Sequence, residues 1–102
     1  MTETTTKPKF NPGVLLATKG ASAAFERNHQ TPFEFLRLHV NGNWGSDLCA
    51  EDRMLNDQAL IDGSRLLSAY RLRDGTKIWI ITEAVGENGR RESTTCILPE
   101  EY

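Results

Sequence analysis

The feature that most constrains this chain is the stretch from Arg65 to Leu98, where two turn dipeptides separate three apolar, β-branched and aromatic runs. The first run is Arg65-Leu66-Leu67-Ser68-Ala69-Tyr70-Arg71-Leu72, and Asp74-Gly75 follows it. The second is Lys77-Ile78-Trp79-Ile80-Ile81-Thr82-Glu83; after Asn88-Gly89 comes the third, Ser93-Thr94-Thr95-Cys96-Ile97-Leu98. Asp-Gly and Asn-Gly between such runs are hairpin signals, because glycine takes the positive φ that a tight turn needs. The spacing predicts a three-stranded antiparallel meander with strands near 65–72, 77–85 and 92–98. Read as two-residue turns, the dipeptides set Tyr70 opposite Trp79, Ser68 opposite Ile81, and Ile81 opposite Cys96. One face then carries Leu66, Ser68, Tyr70, Trp79, Ile81, Cys96 and Leu98. The other carries Leu67, Ala69, Ile78, Ile80 and Ile97. Both are more apolar than a water-facing sheet requires, so helices are expected on the first face and partial cover or a partner on the second.

The helices should precede the sheet. Thr18 is placed to N-cap a helix reaching about Asn28, with Ala21, Ala24 and Phe25 on its apolar face at i, i+3 and i+4. Thr31-Pro32-Phe33-Glu34 reads as a capping box with proline at the first helical position; Phe33, Leu36 and Val40 share one face of that helix, and Gly42 ends it. A third helix runs from Ala50 to about Asp62 and stops at Gly63, with Leu48, Leu55, Ala59 and either Leu60 or Ile61 directed inward. The expected class is α+β: about three N-terminal helices, then the meander. Residues 1–12 form a polar, threonine-rich segment around Phe10 that reads as a flexible arm whose last residues can dock, leaving 13–102 as one domain.

With 12 basic and 14 acidic residues, the net charge of −2 provides no global attraction to nucleic acid or to an anionic membrane. No apolar run is long enough to span a bilayer. Cys49 and Cys96 stand far apart with no ligand cluster around them, as expected of two buried thiols in a cytoplasmic protein. Asp47, Glu51, Asp52 and Asp57 lack the ordered spacing and glycine of a calcium loop. No nucleotide-, metal- or nucleophile-elbow motif occurs, so no cofactor and no metal is expected.

Residues able to carry chemistry are few. His39, near a helix C-terminus, is the natural candidate for a general base. With Arg71 or Arg91 as a phosphate clamp and Thr94 or Tyr102 as a polar partner, it would supply the groups that RNA cleavage needs. Trp44, between Asn43 and Gly45, either plugs an edge of the core or presents a partner-binding surface. Arg73 and Lys77 flank one hairpin tip, and Arg90 and Arg91 the other; both tips are candidate contacts for a protein or for phosphates.

Several segments together resemble a known family: Ala17-Thr18-Lys19-Gly20-Ala21, His39-Val40-Asn41-Gly42-Asn43-Trp44-Gly45 and Asn56-Asp57-Gln58-Ala59-Leu60, then Gly63 to Tyr70, Ile78 to Glu83, and Thr94 to Tyr102. From Val14 onward the chain resembles small uncharacterised proteins carried on bacterial plasmids, phages and integrative elements. It departs from their pattern in a longer hairpin at 84–92 and an extra residue in Trp44-Gly45-Ser46-Asp47. The resemblance implies a bacterial, cytoplasmic mobile-element accessory protein and no settled activity. The first expectation is therefore a non-enzymatic protein that binds a protein or nucleoprotein partner, with a homodimer as a further arrangement. A small metal-independent endoribonuclease of toxin type is the alternative, since helices before a meander are similar in architecture to the barnase-like group. A dimeric DNA binder ranks third, against the acidic balance.

Overall fold

The computed structural model describes residues 8–102. Its order is β1 (Val14–Ala17), α1 (Lys19–Arg27), α2 (Pro32–Val40), α3 (Ala50–Asp62), β2 (Leu66–Arg71), β3 (Lys77–Thr82), β4 (Ser93–Ile97) and a short 3₁₀ turn at Pro99–Glu101. The fold is α+β, with a sheet of four strands in the order β1-β4-β3-β2. The expected three-stranded antiparallel sheet is corrected here: β2, β3 and β4 are antiparallel, but β1 adds to β4 in parallel, pairing Val14 with Ser93 and Ala17 with Cys96.

The hairpin register also differs from expectation, by one residue at each turn. Leu72 N–H donates to the Thr76 carbonyl and Gly75 N–H to the Leu72 carbonyl, enclosing the three-residue loop Arg73-Asp74-Gly75 with Gly75 at φ 88°. The second turn repeats this around Glu87-Asn88-Gly89: Gly86 N–H donates to Arg90, and Gly89 sits at φ 77°. Three-residue hairpin loops with a left-handed third residue are the common alternative to two-residue turns, and they too require glycine. Tyr70 therefore faces Ile78 and Ala69 faces Trp79. Both shifts run in the same sense, so β2 and β4 keep their expected relation while β3 turns over. The helix-covered face is Leu66, Ser68, Tyr70, Ile78, Ile80, Thr82, Thr94 and Cys96, all buried.

The first helix forms as its sequence demands: the Ala21 amide donates to Thr18 Oγ1 at 3.1 Å, and Ala21, Ala24 and Phe25 are buried. In α2 the capping box does not close, because Glu34 accepts from Gln30 instead and Thr31 makes no side-chain cap. The helix is also rotated from expectation: Phe35, Leu36 and His39 are buried, while Phe33 is 66% exposed. In α3 the bounds agree, but the buried residues are Asn56 and Ala59, while Met54, Leu55 and Ile61 face solvent. That helix lies against the margin of β2, and Leu60, like Leu67 and Trp79, packs against the cluster of Trp44, Leu48, Ala59, Leu66 and Ala69.

The outer edge of β2 is closed by polar groups from outside the sheet. Asn56 Nδ2 donates to the Leu67 carbonyl at 2.6 Å and its Oδ1 accepts from the Leu67 amide at 3.0 Å, imitating a neighbouring strand. The Trp44 carbonyl accepts from the Ala69 amide. Gly45 runs so close to β2 that a Cβ there would lie 1.9 Å from the Ala69 oxygen, at φ +91°. Gly45→Ala is accordingly expected to cost about 3 kcal/mol or more, read as a lowered urea midpoint with unchanged slope.

Residues 1–7 of the expected arm lie outside the described residues. Lys9 N–H donates to the Val40 carbonyl, Phe10 packs edge-on against His39, and the Pro12 carbonyl accepts from Thr94. Of the two thiols, Cys96 is buried, and burial pushes it up to about 12, but Cys49 is exposed, contrary to expectation.

Candidate functional site

The residue best placed by sequence to do chemistry, His39, is 0% exposed. Its ring lies between Phe10, at 5.2 Å, and Trp44, at 5.7 Å, both edge-on. Nδ1 meets the Ser68 hydroxyl, and Nε2 lies 2.8 Å from Thr82 Oγ1. Thr82 continues to Thr94 Oγ1 at 2.7 Å, and Thr94 donates to the Pro12 carbonyl at 2.7 Å. That terminal carbonyl sets every proton in the chain, because a carbonyl can only accept. Thr94 spends its proton on Pro12, so Thr82 donates to Thr94. Nε2–H must then donate to Thr82, and Nδ1 accepts from Ser68. The imidazole is neutral and Nε2-protonated. Burial, with the Arg91 charge second, depresses its pKa to about 3.

This network joins α2 to β2, β3, β4 and the segment before β1, and each polar atom of the ring is satisfied within it. Both ring nitrogens are thus taken up by protein hydroxyls. Of the groups expected to act together, His39 and Thr94 do meet, through Thr82. Arg91 is nearby but committed: it donates to the carbonyls of Ser64, Glu83 and Ala59 and lies over the Phe10 ring at 5.7 Å. Arg71 lies elsewhere, paired with Asp47 at 2.7 Å. Tyr102 accepts from Arg65 and packs against Trp79. Trp79 alternates with Ile78 and Ile80, so it belongs to the sheet face opposite His39.

The partner-binding candidates also divide. Trp44 is 4% exposed and its indole N–H donates to Asp57, which makes it part of the core rather than of any docking surface. Arg91, 9% exposed, is likewise internal. Arg73, Lys77 and Arg90 are exposed at the hairpin ends. Sequence reasoning did not single out the strand β1. Its signal was present in Val14-Leu15-Leu16, an apolar run immediately before a helix cap.

β1 is a sheet edge of a different character from β2. Val14, Leu15 and Leu16 are 61%, 43% and 50% exposed. Beside it lies a groove of about 580 Å³, in which Leu15, Pro8 and Pro12 face Phe33, Leu36 and Val40 of α2. An apolar edge strand with no charge, proline or bulge is a ready template for a further strand. The α3 stripe of Met54, Leu55 and Ile61 is also exposed, but a helix offers no unpaired backbone groups along its side. Among the described residues no cluster of three or more His, Cys, Asp or Glu side chains could hold a metal, and no helix is long and apolar enough to cross a membrane.

Comparisons with protein-family models, with curated proteins and with solved structures found no match to this chain.

Proposed function

We propose that this chain is a non-enzymatic binding protein that docks a protein or nucleoprotein partner along the β1 margin. The observation that carries the reading is the contrast between the two ends of the sheet. Asn56 and Trp44 satisfy the backbone at β2, whereas β1 is apolar, exposed and bordered by an apolar groove. Strand addition fits such a margin: main-chain hydrogen bonds supply affinity, and alternate side chains entering a groove supply selectivity. The exposed Arg73, Lys77 and Arg90 are secondary contacts in this reading. An accessory protein of a mobile element, acting by occupying another protein, would need nothing more.

The endoribonuclease alternative requires His39, Arg71, Arg91, Thr94 and Tyr102 around one cleft. They are instead distributed: His39 and Thr94 in a sealed network, Arg91 on three backbone carbonyls, Arg71 in an exposed ion pair and Tyr102 on the opposite sheet face. A DNA-binding dimer would need a basic stripe, and the net charge of −2 gives it no support.

A photo-reactive side chain placed at Leu15 tests the docking reading in cells, with the same group at Arg90 for comparison. Covalent protein adducts are expected at position 15. Adducts at position 90 with none at position 15 would move the docking surface elsewhere.

A further inference from the structure

We infer that the occupant of the β1 edge is β1 of a second copy of this chain, the two four-stranded sheets joining about a two-fold axis. This rests on the docking reading above and commits it to one partner. The hydrogen-bonding parity of β1 follows from its ends. Val14 N–H donates to the Glu92 carbonyl and Thr18 N–H to the Cys96 carbonyl, so residues 14, 16 and 18 bond inward to β4. In a parallel ladder the intervening residues point the other way. The N–H and C=O groups of Leu15 and Ala17 therefore face outward, away from β4.

Two outward residues spaced by two admit a self-complementary antiparallel pairing. With Leu16 opposite Leu16 of the second copy, Leu15 faces Ala17 of that copy. The pair exchanges both N–H···O bonds, and symmetry repeats it, so four bonds satisfy all the outward groups of both Leu15–Ala17 segments. A two-fold centred on Leu15 would instead need Gly13 N–H, which is already donated to Asn11 Oδ1. The Leu16 register also sorts the side chains. Leu15 and the opposing Ala17 lie on the helix side, where Leu15 already lines the groove with Phe33, Leu36 and Val40. The two Leu16 side chains meet on the outer face. Val14 to Ala17 carries no charge, so nothing repels across the axis.

Sedimentation equilibrium of the full chain across a concentration series tests this. The wild type is expected to show twice the 11.5 kDa chain mass. Leu16→Lys and Leu16→Glu should each sediment as monomers with unchanged circular dichroism, since Leu16 is half exposed in the single chain. Mixing them should restore the dimer, because unlike charges then oppose each other across the axis. A monomeric wild type, a dimeric Leu16→Lys, or a mixture that stays monomeric would each overturn the pairing. Should the charged variants fail to fold, Leu16→Cys in a Cys49→Ser background provides a second reading. A non-hydrogen-bonded pair has its Cα atoms about 4.5 Å apart, within disulfide range, so mild oxidation should link two chains. Failure to link them counts against the register. A monomeric wild type that still gives adducts with another protein at position 15 would sink self-pairing and leave the docking reading standing.

Discussion

Acidification from pH 7 to pH 5 is expected to remove about 2 kcal/mol of folding stability through His39 alone, and about 3 kcal/mol by pH 4. The sign follows from where the proton goes. In the unfolded chain His39 titrates near its ordinary 6.5, whereas in the fold burial holds it to about 3. Between those values the unfolded chain binds a proton that the native state refuses, so stability is present above the unfolded pKa and is lost as pH falls toward the folded one. Protonation would put a donor on Nδ1, where the Ser68 hydroxyl now donates, and would leave an unpaired charge among Phe10, Trp44 and the sheet. Asp74, Asp62 and Glu101, whose hydrogen bonds from Thr76, Ser64 and Thr18 depress their carboxyl pKa values, also lose stability in acid. Their losses begin near the ordinary carboxylate range around pH 4, below the upper part of the histidine window. Urea unfolding at pH 7, 6, 5 and 4 checks this. His39→Gln, which cannot titrate, should be less stable at pH 7 but nearly flat between pH 6.5 and 5. An equal pH slope in both proteins would remove His39 as its cause.

The second large effect separates two neighbouring arginines. Arg91→Leu is expected to cost about 3 kcal/mol or more, because its guanidinium holds the carbonyls of Ala59, Ser64 and Glu83, and hydrogen bonds to a charged group contribute about 1.5–3 kcal/mol each. Those carbonyls come from the end of α3, the connection into β2 and the strand exit after β3, so the change should loosen the α3–sheet junction as well as lower the urea midpoint. Arg90→Leu, at the exposed hairpin end, should stay within about 0.5 kcal/mol of the wild type. Equal effects at the two positions would mean that the three carbonyl bonds do not carry the difference.

A basic pair beside a turn looks like a charged tip, and for Arg90 it is one. Arg91 differs because the isolated bridge from Val85 to Arg91 continues the hairpin and turns its side chain under α3. The histidine shows the same limit. His39 on a helix is legible, but its Ser68 and Thr82 partners lie 29 and 43 residues away. Ser68, in a strand otherwise rich in apolar residues, was the available clue: a buried hydroxyl needs a partner. Trp44 took the core-plug alternative, and Phe33, expected inward, is exposed, because neighbouring elements decide which side of a loop or helix is covered. Asn56, which reads as one more polar residue on an acidic helix, closes the edge of β2 only because α3 is laid beside it.

What the sequence determined by itself is local: the α+β class, the three helices and their approximate ends, and three of the four strands. Caps, prolines, glycine stops and period-two runs act within a few residues, so their physics is present in the string. The tertiary structure decided what depends on distant partners. β1 exists as a strand because Val14 to Ala17 finds Ser93 to Cys96 nearly eighty residues later, and a four-residue apolar run carries no sign of such a partner. The meander is the intermediate case. Its hairpins were legible, yet one residue more in each loop turned β3 over and placed Thr82, rather than Ile81, beneath the histidine. Two- and three-residue turns both want glycine in the same place, and only the packed helices on one face select between them.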